Sequence, residues 1–141
     1  MIEYNLMQLL KANDYLDLNY SINTTSLKDD VVTVYSSSGP QPSLYEGVLI
    51  KPRYQVIVRS SDYDKATETA YNVYTQFNEI ENLIMPVELK TKTLLFKVFK
   101  VYALHEPALL GTTSDGVMEY SLNFETQIMQ VREHQTNDVM N

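Results

Sequence analysis

The stretch that decides the fold is Tyr54–Tyr74, which reads YQVIVRSSDYDKATETAYNVY. Its first part contains three consecutive β-branched residues at 56–58, a run typical of a central strand covered on both faces. A polar turn follows, in which Ser61 or Asp62 can cap a helix. The apolar residues after the turn form one stripe at helical spacing, which consists of Tyr63, Ala66, Ala70, Val73, Tyr74 and Phe77. These patterns predict a strand that leads into an amphipathic helix, and the small alanines let that helix lie close against a sheet.

Upstream of this core, the sequence predicts a short helix and three further strands. Residues 2–12 carry leucine and isoleucine at helical spacing, with an acidic residue near the start and a lysine at the end. Apolar and polar residues alternate over 15–23, and residues 31–35 are β-branched and aromatic, so both segments are predicted strands. Residues 36–43 contain serine, glycine and proline and are predicted to be a projecting loop, which a strand-like run at 44–50 follows.

Downstream of the main helix, the chain is predicted to be mostly β. Pro86 prevents the helix from continuing. Residues 94–103 and 118–131 alternate in the manner of long strands, and a long connection at 105–117 joins them. We therefore predict one α+β domain over residues 1–131, with a mixed, mostly antiparallel sheet. The main amphipathic helix and the short N-terminal helix are expected to pack on one face of the sheet, and the polar tail at 132–141 is expected to be flexible.

Composition indicates where the protein is made. The chain has 141 residues, a usual size for one domain. It contains no cysteine, which excludes disulfides and thiolate metal sites and favours synthesis in a reducing cytosol. No segment approaches the roughly 20 apolar residues that cross a bilayer, and the first residues lack the pattern of a signal peptide. We therefore expect a protein made in the cytoplasm, with no membrane partner.

The charge balance argues against nucleic-acid binding. Eleven basic and eighteen acidic residues give a net charge of −7. Proteins that grip phosphates usually carry a basic patch, whereas the densest basic run here is Lys90, Lys92, Lys97 and Lys100, part of which lies on a predicted strand. We expect no sequence-specific binding of nucleic acid. A neutral or acidic surface would, however, let DNA slide past without being held.

The chain has two histidines, and neither predicts catalysis. His105 and Glu106 are adjacent in an extended segment, so their side chains point to opposite faces. They are better explained as the start of a solvated loop, and His134 lies in the polar tail. No Gly-x-Ser-x-Gly elbow, phosphate-binding loop or dinucleotide fingerprint occurs in the sequence. We predict no catalytic residue and no cofactor-binding residue, and hence a protein that is not an enzyme.

Pairs of aspartates are the remaining candidates for a metal site. Asp29 and Asp30 are adjacent, and Asp62 is followed at the second position by Asp64. The second pair lacks the glycine and the distal glutamate of a calcium loop. Capping of the main helix explains it with fewer assumptions. We predict no metal-binding residue.

The order of these features resembles the tail terminator family of long-tailed, siphovirus-type phages, also called tail completion or minor capsid proteins. In that family a strand ending in Val-Arg and a short polar turn lead into an amphipathic helix rich in alanine and aromatic residues. With the N-terminal helix, the resemblance covers about residues 2–131. The stretches that carry it are, in chain order, Asp30–Tyr35 with the loop that follows, Tyr54–Tyr74, Glu106–Gly111, Asp115-Gly116 and Tyr120–Phe124.

The resemblance implies a structural role in the virion. Such proteins form a ring, commonly a hexamer, at the head-proximal end of the tail tube. The ring stops polymerisation of the tube and docks the tail to the connector on the head. The implied partners are other copies of the chain, the tail tube protein and the head–tail connector proteins, and DNA passes through the lumen. The loops at 36–43 and 105–117 are the segments expected to contact neighbouring rings. Neither catalysis nor a cofactor is implied.

Two other functions stay open at this point. The first is a different head–tail joining protein, such as a stopper or an adaptor. The second is a small ligand-binding or hydrolytic α+β domain whose site is dispersed in the sequence. A pocket lined by tyrosines and His105 would favour the second function, and a continuous ring interface would argue against it.

Overall fold

The computed structural model describes residues 1–37, 39 and 49–131, and these form two helices and eight strands. The elements are, in chain order, α1 (Glu3–Ala12), β1 (Asn19–Ile22), β2 (Val31–Ser37), β3 (Leu49–Ile50), β4 (Arg53–Ser60), α2 (Tyr63–Asn78), β5 (Glu81–Glu88), β6 (Thr93–Ala103), β7 (Ala108–Thr112) and β8 (Met118–Val131). Within this part of the chain, no helix is long and apolar enough to span a membrane.

The long strand β8 is the spine of the sheet. On one side it pairs with β4 through its first half and with β3 near its end, and on the other side it pairs with β7 and then β6. The main path of the sheet is β1-β2-β4-β8-β6-β5. Only β1 and β2 pair in parallel among the described strands. The predicted α+β class and the mixed, mostly antiparallel sheet are confirmed.

Both helices pack on one face of this sheet, as predicted. Cross-strand register brings Val34, Val56 and Leu122 side by side on that face, where each side chain is at most 1% exposed. Helix α1 contacts β1 and β2, and α2 contacts β4, β6 and β8. Because apolar burial is the main favourable term in folding, this shared core between the helices and the sheet stabilises the fold.

Helix α2 begins as the sequence predicted, with one correction. The Asp62 carboxylate accepts a hydrogen bond from the Lys65 backbone N–H at 3.1 Å and so caps the helix. The residues predicted to face the sheet are all buried: Ala66, Ala70, Val73 and Phe77. Tyr63, which the helical stripe also included, is 56% exposed. It occupies the first turn of α2 and lies to one side of the buried face.

The first predicted strand, at 15–23, is shorter than the alternation suggested. Asp14 accepts hydrogen bonds from the backbone N–H groups of Leu16 and Leu18, at 3.4 and 3.2 Å. Asp17 adopts a left-handed backbone with φ of 57°, which interrupts an extended chain. Strand β1 therefore begins only at Asn19.

Two strands were absent from the sequence prediction. Strand β5 follows α2 directly and is an edge strand among the described residues. It tolerates Pro86 because an edge strand needs no ladder hydrogen bond on its outer side. The Asn5 side chain donates to the Pro86 carbonyl at 2.7 Å and closes this edge. Strand β7 lies inside the segment 105–117 that was predicted to be a connection, so that prediction was wrong for its central part.

Several predictions fall partly outside the described residues. In the loop predicted at 36–43, Ser36 and Ser37 belong to β2, and beyond them only residue 39 is described. The strand predicted at 44–50 is described at Leu49–Ile50 alone. The tail at 132–141, including His134, lies outside the described residues.

Candidate assembly surfaces

Strand β7 and the start of β8 form a hairpin that displays two leucines to solvent. In its turn, the N–H groups of Thr113 and Gly116 donate to the carbonyls of Val117 and Thr113, at 2.8 and 2.9 Å. The register shifts between Leu109 and Gly111, which indicates a bulge. Leu109 is 51% exposed and Leu110 is 61% exposed. A bulge therefore lets two consecutive leucines point away from the core.

One flank of α2 extends this apolar surface. The hydroxyl groups of Thr67 and Tyr120 lie 3.0 Å apart, and Tyr120 pairs across the sheet with Leu109. Tyr63 and Tyr71 lie four residues before and after Thr67, so they share its flank of the helix, and they are 56% and 62% exposed. We call these two tyrosines with Leu109 and Leu110 the arm surface. Tyrosine and exposed apolar clusters are enriched at protein interfaces.

Acidic side chains surround the arm surface. Asp64, Glu106 and Asp115 are exposed near it, at the start of α2, before β7 and in the hairpin turn. Two of the nearby cations are engaged elsewhere, since Lys65 Nζ lies 3.2 Å from an Asp30 oxygen and Arg59 donates to Glu119 at 2.8 Å. A third cation, Lys28, lines a pocket together with Asp115, so the carboxylates outnumber the free cations here. This end of the molecule is therefore negatively charged.

A groove runs between the start of α1 and the end of β5, with a volume of about 680 Å³. Its apolar lining includes Tyr4, Pro86 and Leu89, and the exposed fractions of Tyr4 and Leu89 are 54% and 41%. Lys90 and Lys92 follow Leu89 in the turn between β5 and β6, and both are exposed. Among the described residues no carboxylate pairs with either lysine. We call this the α1–β5 groove.

A second groove of about 620 Å³ lies between the ends of the two helices and the start of β5. Leu9 and Leu83 contribute apolar surface, and Glu79 and Glu81 supply carboxylates at its rim. We call it the α1–α2 groove. It resembles the first groove in size, and each groove is lined by two glutamates. The two grooves differ in that exposed lysines adjoin the first one.

The sheet face opposite the helices carries polar residues that satisfy one another. Arg53 donates to Glu125 at 3.2 Å, and the Gln55 side chain donates to the Ser121 hydroxyl at 3.0 Å. The Tyr102 hydroxyl also donates to Glu125, and this hydrogen bond, together with Arg53, holds the pKa of the Glu125 carboxyl below its usual value. These groups are structural partners, and their charges are neutralised in pairs.

His105 is held by two hydrogen bonds. Its Nε2 lies 2.8 Å from the Asn123 side-chain nitrogen, and its Nδ1 lies 2.7 Å from the Glu106 carbonyl oxygen. With the Asn123 amide as donor, Nε2 accepts and Nδ1–H donates, so both ring nitrogens have partners within the protein. The partner within Glu106 is its backbone, so the structure does not assemble these two side chains into an acid–base pair.

The aspartates considered as metal ligands have structural partners. Asp29 accepts hydrogen bonds from both the N–H and the hydroxyl of Ser61, each at 2.7 Å, and these bonds lower the pKa of its carboxyl. Asp30 accepts from the Ser60 hydroxyl at 2.7 Å. The pair thereby anchors the turn that leads into α2. In the described ranges, no cluster of three or more metal-ligating side chains occurs.

The sequence analysis singled out the segment 105–117 for contacts with neighbouring rings, but it did not identify the arm surface itself. Tyr63 appeared to belong to the buried stripe, and the two leucines lay in a segment predicted to be a loop. The one available signal was the pair Leu109-Leu110 between Pro107 and Gly111, since consecutive leucines are unusual in a solvated connection.

A family model described as "Bacteriophage tail terminator protein" matches the chain over residues 9–130. No curated protein matches it.

Proposed function

The chain belongs to the bacteriophage tail terminator family, and we propose that it assembles as a ring that caps the head-proximal end of the tail tube. As a member of that family, it is a structural component of the phage tail. In the proposed role, the ring ends polymerisation of the tube protein and presents a docking surface to the connector on the head. The family match over residues 9–130 is the observation that carries this proposal.

The surface of the molecule supports assembly. A ring of identical copies needs two different complementary patches on each copy. The arm surface and the α1–β5 groove are two such patches, and both expose large apolar side chains. The remaining exposed surfaces are available to the tube protein on one side of the ring and to the connector on the other.

Electrostatics supports a lumen through which DNA slides. The net charge of −7 repels the phosphate backbone at long range. On the polar sheet face, Arg53 and Arg59 are paired with Glu125 and Glu119, and paired cations bind phosphates weakly. The proposed function involves neither catalysis nor a cofactor.

The experiment is to assemble phage without this chain. We expect filled heads that are unattached to tails, together with tubes longer than normal, in negative-stain micrographs. A stopper or an adaptor acts on the head, so its loss would leave tube length unchanged and would identify the alternative function. Normal tails joined to heads in the absence of the chain would refute both functions.

Complementation then tests the arm surface. Leu109→Asp with Leu110→Asp should leave the circular dichroism spectrum unchanged yet fail to restore joined particles. Leu83→Asp is the matched control, because Leu83 is 39% exposed and lies in the α1–α2 groove, outside both patches. The control variant should restore joined particles as well as the wild-type chain does.

A further inference from the structure

We propose that the arm surface of one copy seats in the α1–β5 groove of the next copy, so that the ring is built from head-to-tail contacts. This inference rests on the proposed function and assigns the two faces of the subunit interface. The partner that fits the groove is thus a second copy of the same chain.

The two patches lie at opposite ends of the sheet. The arm surface is next to Tyr120, whereas Pro86 in the groove is in register, through Leu95, with Val131. At about 3.3 Å per residue, the eleven positions from 120 to 131 separate them by roughly 35 Å along the strand direction. A copy therefore cannot fill its own groove, and each contact leaves one arm and one groove open for further copies.

The apolar parts of the two patches match in character. The arm surface presents Leu109 and Leu110, and the groove offers Tyr4, Pro86 and Leu89. Pockets of about 300–1,000 Å³ accept groups of drug size, so the groove has room for both leucine side chains. Burying them removes apolar surface from water, which is the main driving force of protein association.

Charge selects between the two grooves. The arm brings Glu106 and Asp115 to the contact. The α1–β5 groove is itself lined by Glu3 and Glu88, but Glu3 pairs with the N-terminal ammonium at 2.7 Å. Lys90 and Lys92, which follow Leu89, therefore outnumber the one remaining carboxylate at this rim. The α1–α2 groove would instead oppose them with carboxylates of its own rim. Complementary charge suppresses the wrong pairing and orients the encounter. The α1–β5 groove is therefore the partner site.

Side chains, and not an added strand, make this contact. The edge of β5 lacks one N–H at Pro86, and the carbonyl of that residue already accepts from Asn5. The edge of β7 is interrupted by its bulge. Both features are known to block strand-to-strand association.

The absence of cysteine in the chain makes the test direct. A chain carrying Leu89→Cys and Leu109→Cys is expressed during infection, and virions are purified and oxidised. We expect a ladder of cross-linked species beyond the dimer, with peptides joining positions 89 and 109 found by mass spectrometry. An intramolecular bond is excluded by distance, since a disulfide requires Cα atoms within about 7 Å.

The matched control replaces Leu83 in the α1–α2 groove, which is 39% exposed. Leu83→Cys with Leu109→Cys should give no ladder, and each single-cysteine chain should give dimers at most. Lys90→Glu with Lys92→Glu should lower the yield of the 89–109 ladder about tenfold, and Glu106→Lys with Asp115→Lys in the same chain should restore it.

The inference is overturned if virions contain the double-cysteine chain but show no 89–109 link, or if the Leu83 pair forms the ladder. Tails that lack the chain altogether would refute the proposed function instead, so the two failures are distinguishable. Circular dichroism of each purified variant excludes misfolding as the cause of a missing link.

Discussion

The packing of α2 on the sheet allows a stability effect to be worked out from the structure. Phe77 is 0% exposed, and its ring meets the ring of Phe124 edge to face, with centroids 4.8 Å apart at 66°. Truncating a fully buried phenylalanine to alanine costs about 3–5 kcal/mol. About 0.5–1.5 kcal/mol of that comes from the aromatic pair. Because domains are stable by only about 5–15 kcal/mol, Phe77→Ala should remove a large part of the free energy of unfolding.

The measurement is urea unfolding followed by circular dichroism. Phe77→Ala should lower the midpoint and leave the slope nearly unchanged, since the surface exposed on unfolding stays similar. Tyr71→Ala is the control on the same helix, because Tyr71 is 62% exposed, and it should change stability by no more than about 0.5 kcal/mol. A double-mutant cycle with Phe124→Ala isolates the aromatic pair.

Two results would refute this reasoning. A loss below about 1 kcal/mol for Phe77→Ala would mean that the side chain is not buried between helix and sheet. A loss for Tyr71→Ala as large as that for Phe77→Ala would mean that the helix packs through another face.

Two further predictions concern single side chains. Hydrogen bonding lowers the pKa of Glu125 in the folded chain, so its contribution to stability is present above the unfolded pKa of about 4.3 and is lost as the pH falls through the lowered folded value. Unfolding free energies measured between pH 3 and pH 7 should therefore vary less for Glu125→Gln than for the wild type, and equal slopes would contradict the assignment. Asp62→Ala removes the cap of α2 and should cost about 1 kcal/mol by urea unfolding, whereas Asp64→Ala, which caps no backbone group in the structure described, should cost less.

The helical pattern of α2 predicts most of its buried residues, but it does not predict every exposed one. The stripe of α2 identified Phe77 and its neighbours correctly because burial on a helix follows a period of 3.6 residues. The same stripe misplaced Tyr63, which occupies the first turn of α2, lies to one side of the buried face and meets solvent.

The sequence by itself determined the elements whose signals are local: the central strand β4, the capped helix α2, the N-terminal helix and the spine β8. Their hydrophobic periods and capping residues act over a few positions, so these elements can be recognised in the sequence without knowledge of the fold. Only the tertiary structure decided which segments lie at the sheet edges and which apolar residues stay exposed. Strand β5 accepts Pro86 because none of the described strands lies beyond it, and Leu109 and Leu110 face solvent because β8 pairs with a bulged β7. These outcomes depend on pairing between segments distant in the chain, and no local period encodes that pairing.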